Sequence, residues 1–196
     1  MSRISGWDNG LRNASGCGIS AFMSEKKNLF SGELVVRSLD NMVERGNGLG
    51  AGYAGYGIYP EQSNYYALHL LYDDENSRSI TEEYLKTYFR IFEAEPIRTN
   101  PNRIKKIRAP IFYRYFVLPK EDALAIEKLA QASDEFVMNR VVEINRDITG
   151  AFVMSSGKNM GVFKGVGYPR EIGDFFKLED YQGYCWIGHS RFPTNT

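Results

Sequence analysis

The chain patterns as an α+β protein, and three observations carry that expectation. It holds 13 Tyr and 12 Phe among 196 residues, a high count that suits a β-rich core. Two long apolar-aromatic runs, YYALHLLY at 65–72 and IFYRYFVL at 111–118, have the length and character of strands. Segments 81–92 and 120–145 instead carry their apolar residues at helical spacing. The length allows one domain with a sizeable core. Hydrophobic residues at 43% and charged residues at 24% are a globular balance.

Taken in order, residues 1–16 (MSRISGWDNGLRNASG) are polar, lack a hydrophobic period and read as an extended leader. CGISAF at 17–22 alternates small and apolar residues and predicts a short buried strand. Residues 34–45 set Leu34, Val35, Leu39, Met42 and Val43 at helical spacing, and Gly46 supplies a stop. GNGLGAGYAGYG at 46–57 reads as a glycine-rich loop before a tyrosine-rich strand at 56–59. Its GAGYAG matches the dinucleotide fingerprint by letters only. That fingerprint needs a strand before it and a helix after it, and here the order is reversed. The glycines are better explained by a tight turn and close strand packing.

The strand at 65–72 leads through a polar loop at 73–79 to the helix at 81–92, with Ser79 as N-cap three residues before Glu82. Residues 96–110 form an irregular connection, 111–118 a strong strand, and 120–145 the longest helix. Together 65–145 looks like a strand–helix–strand–helix insertion on a sheet core. Segments 151–154 and 161–164 flank the turn-like SSGKN at 155–159 and suggest a β-hairpin. A short helix is expected at 171–178 and a strand at 184–190. No internal repeat is visible.

Bulk charge excludes some partners. Lys+Arg is 24 and Asp+Glu is 24, so neither nucleic acid nor a membrane surface is favoured electrostatically. The densest basic run, RTNPNRIKKIR at 98–108, has no aromatic residue and reads as a solvated loop. No stretch has the length of a membrane span, and the N-terminus lacks the apolar centre of a secretory signal. The cytoplasm is the expected compartment. Cys17 and Cys185 do not make a disulfide framework and read as free thiols.

Chemistry concentrates at the two ends. A thiol is mostly protonated at neutral pH and needs a base, and the chain has only two histidines, His69 and His189. Cleavage between Gly16 and Cys17 would supply a base directly, because an α-amine titrates at about 7.7–8.0. Gly18 leaves backbone room beside the thiol. Read alone, Cys17 also fits a buried core thiol. At the other end, GHSRFPTNT at 188–196 offers Arg191, whose guanidinium grips a carboxylate through two parallel hydrogen bonds. Thr194 and Asn195 add neutral donors, and Pro193 stiffens the turn. Alone, Arg191 fits equally a strand-end arginine paired with a surface acid.

Taken together, GCGIS at 16–20 and IGHSRFPTNT at 187–196 resemble the glutaminase domain of class II glutamine amidotransferases, which are N-terminal-nucleophile hydrolases. The GHSRFPTNT wording is closest to the glutamate synthase branch, as is the long separation between the two motifs. GVFKGVG at 161–167, followed by Pro169 and Ile172, is similar to the family's lead-in. The resemblance implies an αββα sandwich in which an N-terminal Cys-Gly strand lies beside the strand carrying Arg191-Phe192-Pro193-Thr194. This chain would supply its N-terminal portion, with 17–196 as the amidotransferase domain and 65–145 as an insertion. It implies Cys17 as nucleophile, Arg191 on the glutamine α-carboxylate with Thr194 in support, and a structural role for His189. The family's oxyanion Asn-Gly pair and the acid for the substrate α-amine come downstream of this motif, beyond Thr196. The implied partner is an ammonia-accepting synthase. Its flavin and iron–sulfur centres would not sit in this chain, which has no cysteine cluster to hold them. Two alternatives stand beside this: another class II glutaminase, such as that of amidophosphoribosyltransferase, and a non-catalytic regulatory or assembly subunit.

Overall fold

The computed structural model describes residues 17–45, 48–101, 110–126 and 133–190. Their fold is mixed α+β with antiparallel sheets. The first sheet has the order β1 (Gly18–Met23), β10 (Cys185–Ser190), β3 (Ala51–Tyr56), β8 (Met160–Gly165). The second has the order β5 (Phe89–Pro96), β6 (Ile111–Pro119), β4 (Tyr66–Tyr72), β7 (Ala151–Lys158). A two-stranded ribbon pairs β2 (Phe30–Ser31) with β9 (Gln182–Gly183). The first sheet therefore draws its strands from both ends of the described chain, and the second is built from sequence lying between β3 and β8.

Helices α1 (Glu33–Asp40) and α5 (Pro169–Phe175) cover one face of the first sheet. Val35, Val36 and Leu39 of α1 are buried there with Tyr53, Phe163 and Trp186. The Trp186 indole donates to the Phe30 carbonyl at 3.1 Å, so its one polar atom is satisfied in the core. Ala67 and Phe116 of the second sheet join this core, and Phe112 packs edge-on against Phe175 and Phe176. The other face of the second sheet carries Leu68, Leu70, Tyr72, Tyr115 and Val117. These pack against α2 (Glu75–Tyr88) and α4 (Ser133–Asp147) through Leu85, Phe136 and Ile144. Strand β4 is consequently apolar along nearly its whole length, as a strand covered on both faces must be.

Several elements differ from the sequence expectation, each for a local reason. The glycine-rich stretch is not a loop through its whole length. Ala51–Tyr56 is an interior strand with alternate residues inward. Its glycines serve close packing: a Cβ on Gly55 would sit 2.8 Å from the Trp186 ring, and one on Gly188 would sit 2.6 Å from Leu39. The tyrosine strand expected at 56–59 stops at Tyr56, and Gly57 turns with φ 83°. Helix α2 begins at Glu75, inside the expected loop. Asp74 caps it, accepting from the Ser77 amide at 2.8 Å while Ser77 reaches back to the Asp74 amide. This box displaces Ser79 as the start. The helix ends at Tyr88, because Phe89 is extended and opens β5.

The expected hairpin at 151–164 is a corner instead. β7 pairs with β4 and β8 with β3, so the chain crosses between sheets at Asn159. Asn159 holds φ 49°, a conformation asparagine tolerates. Its side chain accepts from the Tyr59 amide at 2.8 Å. The long helix is represented by α3 (Glu121–Ile126) and α4, with 127–132 outside the described residues. The late helix starts at Pro169, a residue suited to the first helical turn.

Candidate functional site

Cys17 is exposed and immediately precedes β1. β1 runs antiparallel to β10 in a register that sets Gly18 opposite Ser190 and Met23 opposite Cys185. The Cys-Gly end of one motif thus meets the Gly-His-Ser end of the other. Ser190 is fully buried and its hydroxyl donates to the Gly18 carbonyl at 3.4 Å. A Cβ on Gly18 would collide with that hydroxyl. The space beside Gly18 is therefore filled by Ser190, not left open for the thiol as the sequence suggested. Arg191 and Thr194 lie outside the described residues, as does the 1–16 leader.

Cys185 stands at the far end of the same ladder, five residues from Ser190, roughly 17 Å at strand rise. The two thiols cannot reach one another. Burial pushes the Cys185 thiol up from its ordinary value, which leaves it a poorer nucleophile.

The face of the first sheet away from α1 and α5 is largely uncovered and apolar. Ile19, Met23 and Ile187 are 65%, 72% and 39% exposed. One residue in from the Cys17 end, the register aligns Ile19, His189, Gly52 and Lys164 across all four strands. A shallow cavity of about 330 Å³ lies here, lined by Gly52, Ala54, Val162, Lys164, Ile187 and His189. Partial burial pulls the Lys164 ammonium down from its ordinary value, and it sits 4.6 Å from the Phe152 ring centre. Lys164 was not among the residues expected at a site. The period-2 alternation of β8 was the signal, since it sets Lys164 on the same face as Val162.

The histidines divide clearly. His189 is half-buried on this open face. His69 is fully buried between the sheets, where its Nδ1 lies 3.1 Å from the Val162 carbonyl and its Nε2 2.7 Å from the Tyr59 hydroxyl. A carbonyl only accepts, so Nδ1 carries the proton and Tyr59 donates to Nε2. Arg114 Nη1 in turn donates to the Tyr59 oxygen at 2.9 Å, and Nη2 pairs with Glu95. Burial drives the imidazole down to about 3. Both ring nitrogens are committed, and this ring is not a base for an exposed thiol. No sequence motif marks the network, because its members come from five separate segments.

Among the described residues, no cluster of three or more His, Cys, Asp or Glu is placed to hold a metal ion. No helix among them is long and apolar enough to cross a membrane.

No protein-family model matches the chain. It is 44% identical over 183 residues to an uncharacterized protein of Archaeoglobus fulgidus, an alignment covering 92% of this chain and 47% of that protein. The chain spans about half the length of this relative.

Proposed function

We propose that this chain is the glutaminase portion of a class II glutamine amidotransferase. It would hydrolyse glutamine to glutamate and ammonia for a synthase partner, most closely of the glutamate synthase type. One observation carries the reading: β1 and β10 are neighbours, with Gly18 opposite Ser190. That is the strand arrangement the family resemblance requires, and it brings together motifs about 170 residues apart in sequence. Two further features support it. His69 is locked in a buried network, so it is not the base for Cys17, and the resemblance assigns that role to a freed Cys17 amine. The outer face of the first sheet is apolar although its inner face already packs on helices. An antiparallel sheet with one solvated face is normally polar there. A second sheet docking on that face would complete an αββα sandwich.

In this mechanism the Gly16–Cys17 bond is first cleaved. The Cys17 α-amine takes the thiol proton, and the sulfur attacks the side-chain amide carbon of glutamine. The amine returns that proton to the departing ammonia, leaving a γ-glutamyl thioester. Water, deprotonated by the same amine, then releases glutamate and regenerates the thiol. Arg191, supported by Thr194, holds the substrate α-carboxylate. The resemblance places the oxyanion donors downstream of the Arg191 motif, and each such donor is worth about 100- to 1,000-fold in kcat. Flavin and iron–sulfur chemistry belongs to the partner.

The test is ammonia release from glutamine by the full-length protein. Cys17→Ala should abolish it and Cys185→Ala should leave most of it. Arg191→Lys keeps the charge but loses the fork, roughly 1.5–3 kcal/mol of charged hydrogen bonding, so the glutamine KM should rise about tenfold or more. Equal loss from both cysteine variants, or unchanged kinetics in a folded Arg191→Lys variant, would overturn the assignment.

A further inference from the structure

A polar cleft lies on the opposite side of the Arg114–Tyr59–His69 network from β8. It has a volume of about 210 Å³ and is lined by Glu95, Arg98, Arg114, Lys177, Asp180 and Tyr181. Glu95 and Arg114 come from β5 and β6, and Lys177, Asp180 and Tyr181 from the turn after α5. The cleft thus sits where the two halves of the fold meet, a common place for ligand sites. Three cations face two carboxylates, and Glu95 is already paired with Arg114.

Arg114 is built in rather than solvated. Its side chain is 13% exposed and lies 4.6 Å from the Tyr59 ring centre and 5.3 Å from that of Phe116. Nη1 and Nη2 are used by Tyr59 and Glu95. Its Nε is buried, so Arg114 acts on the cleft through its charge and not through that nitrogen. Lys177 lines the cleft from the turn after α5. It holds φ 52° and ψ 49°, the left-handed region where glycine is favoured. The turn is fixed by the Lys177 amide on the Asp174 carbonyl at 3.3 Å and the Asp180 amide on the Lys177 carbonyl at 3.0 Å. The fixed turn holds Lys177 against the cleft.

We propose that this cleft binds a small dianion, a phosphate or dicarboxylate group, through Arg98, Arg114 and Lys177. The Arg98 guanidinium and the Lys177 ammonium supply charge-assisted donors, the Arg114 guanidinium adds fixed positive charge, and the Tyr181 hydroxyl lies beside them as a neutral donor. The volume suits a single phosphate or a short dicarboxylate and is too small for a nucleotide. Because Arg114 is tied through Tyr59 and His69 to the Val162 carbonyl of β8, an occupant would brace both sheets.

Thermal melts and calorimetric titrations of the full-length protein test this, with sodium phosphate, sodium succinate and sodium chloride at matched ionic strength. Phosphate or succinate should raise Tm saturably, and chloride should not. The salt that saturates at lower concentration identifies the group bound. Lys177→Gly keeps the left-handed turn while removing the cation. It should fold at least as stably as the parent and bind about tenfold more weakly or worse. Arg98→Gln should also weaken binding, and Glu95→Gln, which removes a carboxylate charge from the cleft, should tighten it. A non-saturating response common to all three salts would overturn the proposal. So would parental affinity in folded Lys177→Gly.

Discussion

Lowering the pH from 7.5 to 5.0 should weaken the fold by about 2 kcal/mol through His69 alone. Burial, helped by the nearby Arg114 charge, holds its imidazole down to about 3, against an ordinary 6.5. The unfolded chain therefore takes up this proton first. The contribution of His69 to stability is fully present above about 6.5 and is lost as pH falls toward the folded value. From 6.5 to 5.0 the unfolded histidine gains stability at about 1.36 kcal/mol per pH unit, while the folded ring stays neutral. Chemical denaturation at the two pH values measures the loss. The control is His69→Gln, which costs stability at every pH but removes the titration. His189 is the only other histidine and is common to both proteins, so the difference in pH slope belongs to His69. Parallel pH profiles for parent and variant would refute the buried neutral ring.

Two other outcomes follow from packing. Gly161→Ala places a methyl group inside contact distance of the His69 ring, which two hydrogen bonds hold in place, so denaturant unfolding should show a loss of about 1–3 kcal/mol. The isolated 196-residue chain should self-associate through the Ile19, Met23 and Ile187 face. A doubly substituted Ile19→Lys, Met23→Lys chain should sediment as a smaller species with little change in Tm, and unchanged self-association would locate the contact elsewhere.

Much of the fold was legible because its signals are local. The runs at 65–72 and 111–118 became β4 and β6 almost residue for residue, and Val35 and Leu39 marked the buried side of α1. Errors arose where distant packing overrode local chemistry. The glycines of β3 resemble a loop until Trp186, from the other end of the chain, is seen to need their space. Ser79 has the chemistry of a helix cap, but Asp74 and Ser77 form the actual box. The SSGKN run resembles a hairpin turn, but residues 155–158 belong to β7 and only Asn159 separates it from β8, so the run joins two sheets. At the candidate site, residue types were legible from motifs, and the β1–β10 adjacency followed from the resemblance. The Arg114–Tyr59–His69 chain was not, because no single segment contains it.

The most direct test of the proposed function is covalent labelling of the full-length protein with an electrophilic glutamine analogue, followed by peptide mass mapping. The account predicts a single adduct on Cys17, carried on a peptide that begins at Cys17 and has lost residues 1–16, with protection by excess glutamine. An adduct on Cys185, labelling unaffected by glutamine, or an active protein that retains residues 1–16 would contradict it.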